Sequence, residues 1–272
     1  MFRILALTYI SLLSAGASLA NPPESPRVPE SPEKFHLFLL AGQSNMAGRG
    51  KVEEQDRKVV ENILSLDKQG KWTYAIDPLH FDKPKVVGVG LGKSFAIEYT
   101  KKHPGITIGL IPCAVGGSPI DAWKPGGYHS STKTHPFDDC LERMHTTLPQ
   151  GKLKGILWHQ GESDSNPQLS QSYEGKLHTL VKRFRTEFQM PLAPFIVGQL
   201  GQFKDRPWNE ARHQIDRVHR SLPNTIANTA FVPSDGLQHR GDRTHFDSAS
   251  YREFGKRYFK AYSELVTKSL NP

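Results

Sequence analysis

Residues 35–48 read Phe35-His36-Leu37-Phe38-Leu39-Leu40-Ala41-Gly42-Gln43-Ser44-Asn45-Met46-Ala47-Gly48. An apolar run of strand length that stops at a glycine is the pattern of a β-strand buried on both faces, with other layers above and below it. Four more runs share this character, at residues 106–113, 155–158, 195–199 and 226–232. The stretches between them repeat apolar residues at the helical period of 3.6. Tyr173, Leu177, Leu180, Val181, Phe184 and Phe188 form one such face, and Phe137, Leu141, Met144 and Leu148 a second. Tyr251, Phe254, Tyr258, Tyr262 and Leu265 form a third. Strand–helix alternation predicts an α/β fold with a five-stranded, mostly parallel sheet and helices on both sides. Residues 51–90 lack clear periodicity and read as a long excursion over one edge.

The flanks read differently. Arg3, the apolar run 4–13 and the small-residue ending Ser18-Leu19-Ala20 predict a signal peptide over residues 1–20. Residues 21–34, rich in Pro, Ser and Glu, read as an extended linker, leaving residues 35–272 as one domain. Such a leader predicts a secreted or periplasmic protein, with no membrane segment once it is removed, because no other stretch is apolar enough to span a bilayer. Hydrophobic residues make up 37% of the 272, enough for a sizeable core. The net charge of +8 falls to +7 without the leader, which carries Arg3 and no acid. Lys and Arg are scattered, without a long basic run, so the charge suits an acidic polysaccharide better than a nucleic acid. Cys113 and Cys140 are the only cysteines. They exclude a disulfide scaffold and a cysteine-rich zinc site, and leave a single bridge or two thiols open.

Ligands of parallel sheets sit beyond the carboxyl ends of the strands, so the segments after the apolar runs carry the functional reading. Gly42-Gln43-Ser44-Asn45-Met46 can place a serine hydroxyl on a tight turn with backbone N–H groups aimed at one point. Val115-Gly116-Gly117 ends the second run, where paired glycines allow close backbone approach and an N–H donor to an oxyanion. His159-Gln160-Gly161-Glu162-Ser163-Asp164 is an unusually polar sequel to a buried strand. It offers the Gln160 amide as a further oxyanion donor and the Glu162 carboxylate to orient a base. Near the carboxyl end, Asp242-Arg243-Thr244-His245 can set a carboxylate against one imidazole nitrogen, freeing the other to take a serine proton. Asp247 or Ser248 reads as the N-cap of the last helix.

These four segments, in this order over residues 35–262, resemble the SGNH hydrolases, most closely the carbohydrate esterase family 6 and sialate O-acetylesterase-like branch. The resemblance implies a three-layer α/β/α sandwich of flavodoxin-like type and a secreted serine esterase that removes O-acetyl groups from an oligo- or polysaccharide, with no metal or other cofactor. It implies Ser44 as nucleophile, His245 as base and Asp242 as the acid that orients it, with Glu162 competing for that role. Ser44, Gly117 and Gln160 would line the oxyanion hole. The wider superfamily has Asn where Gln160 stands. Gln43, Trp123 and His159 are the expected substrate contacts, and Trp123, Trp158 and Trp208 suit stacking on sugar rings.

Three rival readings remain at this level. An esterase for lipid or thioester substrates would share the fold. A catalytically silent carbohydrate-binding relative would not need Ser44, Asp242 and His245 together. A metal-dependent deacetylase would use His239, Asp242 and His245.

Overall fold

The protein is described from a computed structural model over residues 25–270. The leader expected at 1–20 and the first part of the Pro-rich segment lie outside these residues. Seven strands form one sheet: β1 (Phe35–Gly42), β2 (Ile63–Leu66), β3 (Trp72–Tyr74), β4 (Thr107–Pro112), β5 (Lys152–His159), β6 (Phe195–Gly198) and β7 (Thr229–Val232). Their order is β3-β2-β4-β1-β5-β6-β7, and every neighbouring pair is parallel except β2–β3.

The five strands read from the sequence form one contiguous block, β4-β1-β5-β6-β7. Counted among themselves in chain order they run 2-1-3-4-5, the flavodoxin-like order. The expected count of five is corrected to seven. The two additional strands form a hairpin at the β4 edge, inside residues 51–90. They have only four and three residues, and β3 is half-exposed, so neither carries a buried apolar run long enough to register. Asp67 closes their turn, its Oδ1 accepting from the N–H of Gln69 (2.9 Å) and Lys71 (2.8 Å).

Period-two alternation sorts the strand side chains into two cores. Leu37, Leu39, Ala41, Ile156, Trp158, Phe195 and Val197 face one layer. Phe38, Leu40, Ile108, Leu110, Leu157 and Ile196 face the other. Helices α1 (Gly92–Lys102) and α5 (Ser248–Leu270) cover the second face, with Phe95, Tyr99, Tyr251, Phe254, Tyr258 and Tyr262. Helices α2 (Pro136–Thr147), α3 (Tyr173–Glu187) and α4 (Glu210–Thr225) cover the first. Asp247, not Ser248, caps α5, its Oδ1 accepting from Ser250 N–H at 2.7 Å. Cys113 and Cys140 are buried in the first core as free thiols. Among the described residues no helix is long and apolar enough to cross a membrane.

The strand order reverses at β1, whose neighbours are β4 and β5. The turns after these three strands therefore meet at one crevice. Gly42 makes the meeting possible: Gln43 N–H donates to the His159 carbonyl at 2.8 Å, and a Cβ on Gly42 would sit 2.1 Å from that same oxygen.

Two imidazoles are sealed inside this scaffold. Burial lowers His80 to about 4 and His219 to about 3. Both stay neutral in the folded protein while the unfolded chain protonates near the usual 6.5. Between pH 6.5 and 4 these two side chains bind more protons in the unfolded state, so their contribution to stability falls as pH falls through this window. Buried Asp77 and Asp164, raised to about 7 and about 6, act in the opposite sense, so the histidine contribution is read by difference: a His80→Gln, His219→Gln variant should lose less melting temperature between pH 7 and pH 4.5 than the wild type. An unchanged pH slope would contradict it.

Candidate active site

Ser44 begins a short helical turn, Ser44–Ala47, directly after β1, and its side chain is 7% exposed. Its Oγ lies 3.0 Å from His245 Nε2, and His245 Nδ1 lies 2.7 Å from Asp242 Oδ2. The other Asp242 oxygen accepts from Thr244 N–H (2.9 Å) and His245 N–H (2.8 Å), so one carboxylate both folds the turn and faces the ring. Burial works to raise the Asp242 carboxyl. The hydrogen bonds from His245 and Thr244 outweigh it and hold the group below its ordinary range. Asp242 thus stays ionised beside the imidazole, which fixes Nδ1 as the protonated nitrogen and leaves Nε2 free toward Ser44.

The backbone N–H groups of Ser44 and Gly117 donate to no acceptor among the described residues. Gly117 has φ +86°, on the turn after β4, and lines the same cleft as Ser44 and His245. A serine hydroxyl and two free backbone donors on one cleft wall are the groups that can stabilise a tetrahedral oxyanion.

Glu162 does not reach the His245 imidazole. Its Oε1 accepts from Asn45 Nδ2 at 2.5 Å and lies 3.5 Å from His159 Nε2, an ion-pair separation too long for a well-formed hydrogen bond. Burial pushes this carboxyl up. Contacts with His159 and Asn45 overcome that and bring it down to about 2. The Asn45 amide also donates to the Thr244 carbonyl at 3.1 Å, while its Oδ1 accepts from the Tyr251 hydroxyl at 2.6 Å. Asn45 therefore joins the serine turn to the His245 turn, and Glu162 holds Asn45.

Gln160 departs from the expectation of an oxyanion donor. Its amide is fully buried and absent from the cleft wall. Nε2 faces three acceptors, Asp164 Oδ2 (2.5 Å), Gln43 Oε1 (3.2 Å) and the Ser118 carbonyl (3.2 Å), while Oε1 takes the Tyr173 hydroxyl at 3.0 Å. With every polar atom committed inside, Gln160 ties the turn after β5 to that after β4. Asp164 completes the tie by accepting Ile120 N–H at 2.9 Å. Burial raises the Asp164 carboxyl to about 6 despite these bonds.

The expected sugar contacts are also redistributed. Trp123 and Trp158 are buried against each other edge-to-face, with ring centroids 5.1 Å apart, and cannot stack on a ligand. The Trp123 indole N–H instead donates to Ser118 Oγ at 3.0 Å. Trp208 is half-buried and bonded to the Gly201 carbonyl. His159 lies in the interior beneath the cleft. Of the three expected contacts only Gln43 lines the cleft, and its Oε1 is engaged by Gln160 and by the N–H groups of Gly161 and Ser163. His239 turns Nε2 to Asp205 (3.1 Å) and accepts Gly241 N–H on Nδ1 (2.9 Å). Among the described residues no group of three His, Cys, Asp or Glu side chains is placed to share a metal ion.

The cleft holds about 480 Å³, and Val86 is its sole aliphatic side chain. Arg49, Lys83, Arg206, Arg212 and Arg240 line it, against Glu162 and Asp242. Sequence reasoning singled out none of these five cations. Asn45 stood inside the quoted serine segment without an assigned role. Arg212 opens an amphipathic helix, where its residue type gives no signal.

A probable carbohydrate esterase of Arabidopsis thaliana is 29% identical over 268 residues, spanning 91% of this chain and 97% of its own. An Arabidopsis thaliana crystal structure superimposes with a TM-score of 0.74 at 28% identity, over 84% of this chain and 98% of the other. NanS shares the fold at a TM-score of 0.68 and 21% identity, over 88% and 99% of the two chains. A carbohydrate acetylesterase of Xanthomonas citri shares it at 0.67 and 19%, over 85% of this chain and 57% of that one. Residues 34–264 match the family described as carbohydrate esterase, sialic acid-specific acetylesterase, and the chain belongs to that family as a carboxylic ester hydrolase.

Proposed function

We propose that this chain is an exported serine esterase that removes O-acetyl groups from a carbohydrate bearing an acidic substituent. The observation that carries the chemistry is the chain Asp242–His245–Ser44, in a cleft that also holds two backbone donors unpaired among the described residues. Ser44 Oγ attacks the acetyl carbonyl as His245 Nε2 takes its proton, and the oxyanion forms against the N–H groups of Ser44 and Gly117. The proton then passes from His245 to the departing sugar oxygen, leaving acetyl-Ser44. Water, deprotonated by His245, attacks this ester and releases acetate. The polar cleft wall supports a small acyl group on a hydrophilic substrate over a long lipid or thioester chain. The leader at residues 1–20 supports export to the periplasm or the exterior.

Arg212 supports the acidic substituent. The residue is 7% exposed, its guanidinium meets no acceptor among the described residues, and it faces the cleft beside Glu162 and Ser163. A largely buried guanidinium without a partner is a receptor for a carboxylate, which it can grip through two N–H donors.

Ser44→Ala should leave only the ~10³–10⁴-fold enhancement over water that binding and the oxyanion donors supply. The acid is assigned by comparing two isosteric variants. Asp242→Asn holds the imidazole in the wrong tautomer, which in a Ser-His-Asp protease lowers kcat by about 10⁴. With the better sugar leaving group a loss of roughly 10²–10⁴ is expected here. Glu162→Gln keeps an acceptor for Asn45 and should lose less than Asp242→Asn, at most the ~10²-fold that a misplacement of about 1 Å costs. A larger loss from Glu162→Gln than from Asp242→Asn would give the orienting role to Glu162.

Substrate charge is tested with Arg212→Gln on two acetylated sugars, one bearing a carboxylate and one neutral. The acidic substrate should lose roughly 10–100-fold in kcat/KM, as expected for a lost charge-assisted contact. The neutral one should stay within about threefold, because it makes no such contact. Equal losses on both would remove Arg212 from substrate recognition.

A further inference from the structure

The Gly116–Gly117 turn is held from below by a buried ion pair that belongs to neither of its neighbouring strands. Arg49 Nη2 and Asp82 Oδ2 are 2.7 Å apart, with the side chains 4% and 2% exposed. The same Asp82 oxygen accepts the Gly116 N–H at 2.7 Å. Arg49 reaches the other walls of the cleft as well. Its Nη1 donates to the Gly48 carbonyl at 2.7 Å, at the end of the serine turn. Its own carbonyl accepts from Arg240 Nη1 at 2.5 Å, two residues before Asp242. The fit leaves no slack: a Cβ on Gly116 would lie 2.3 Å from Arg49 Nη2 and 2.7 Å from Asp82 Oδ2.

A buried ion pair is a poor source of stability, because desolvation of both charges consumes most of their attraction. Paired glycines are the most mobile backbone that can be placed beside a reacting centre. An oxyanion donor must nonetheless be held to a fraction of an ångström. From these facts we infer that the Arg49–Asp82 pair positions the Gly117 N–H against Ser44, making Arg49 and Asp82 positioning residues for transition-state stabilisation. The inference rests on the serine-esterase reading. It gives a function to residues 75–90, which bring Asp82 from the far side of the β2–β3 hairpin to the floor of the crevice.

The test alters the pair in two ways and measures hydrolysis of p-nitrophenyl acetate, a neutral ester that makes no use of the cleft's charge. Arg49→Met with Asp82→Leu removes both charges and the acceptor for Gly116. Its kcat should fall about 10–100-fold, part of the 10²–10³ that loss of a whole donor produces. KM should stay within about threefold and the pH dependence of kcat/KM should not move, since the triad is untouched. Asp82→Asn with Arg49 kept retains a neutral acceptor for both the Gly116 N–H and the Arg49 guanidinium and should keep most of the kcat that the leucine variant loses. Hydrogen–deuterium exchange at residues 114–118 should rise in the first variant and stay near wild type in the second, whatever the activity. Should the leucine variant not fold, Gly116→Ala displaces the pair from the turn side and should give the same loss in kcat. Equal kcat in the leucine and asparagine variants, or unchanged exchange at 114–118, overturns the inference. Wild-type turnover that survives Ser44→Ala would instead refute the serine mechanism, and the exchange measurement would still judge the turn.

Discussion

Everything in this site hangs on the approach of β1 to β5 at their carboxyl ends. A parallel pair keeps about 4.8 Å between strands, and here the turn after β1 must cross directly over the last residue of β5. Gln43 N–H reaches the His159 carbonyl, and Val115 N–H reaches the Gly42 carbonyl from the other side. Only a residue without a Cβ fits between them. From that crossing, Ser44 is delivered to the centre of the crevice, with the turns after β4 and β5 on either side.

Around this crossing the charges divide by burial. Asp164 is buried, the side chains of Glu162, Arg49 and Asp82 are nearly so, and all four join one turn to another. Their work is geometric, because a buried charge tolerates few positions for its partners. Asp242 and His245 stand at the open rim, with side chains 40% and 24% exposed. There the Nε2 of His245 faces the open cleft and the Ser44 hydroxyl. The cleft thus sets a more exposed Asp242–His245 rim on a largely buried polar foundation.

Much of this was legible in the sequence because it rests on local regularities. The five buried strands announced themselves by unbroken apolar runs, and they form the contiguous block that sets the crevice. Asp242 and His245 are three residues apart, so their pairing needs only a turn. What escaped depends on long-range placement or on short elements. The β2–β3 hairpin is too brief for periodicity. The sequence offers Gln160 as a donor and Trp123 as a stacking face by residue type alone, and burial, which composition does not encode, turns both inward. Asp82 sits 34 residues from the glycine it holds, within a stretch without pattern. Arg212 reads in the sequence like any helix arginine, and its burial and its lack of a hydrogen-bonded acceptor among the described residues emerge only from the fold.

The central claim is that Ser44 carries the acetyl group between sugar and water. A rapid-quench reaction with an acetylated, carboxylate-bearing sugar, followed by peptide mass spectrometry, tests it directly. A single acetyl adduct on Ser44 is predicted, appearing before steady-state release of acetate and accumulating when deacylation is slowed. Turnover with no acyl adduct on Ser44 at any time, or with the acetyl group on another residue, would contradict the account.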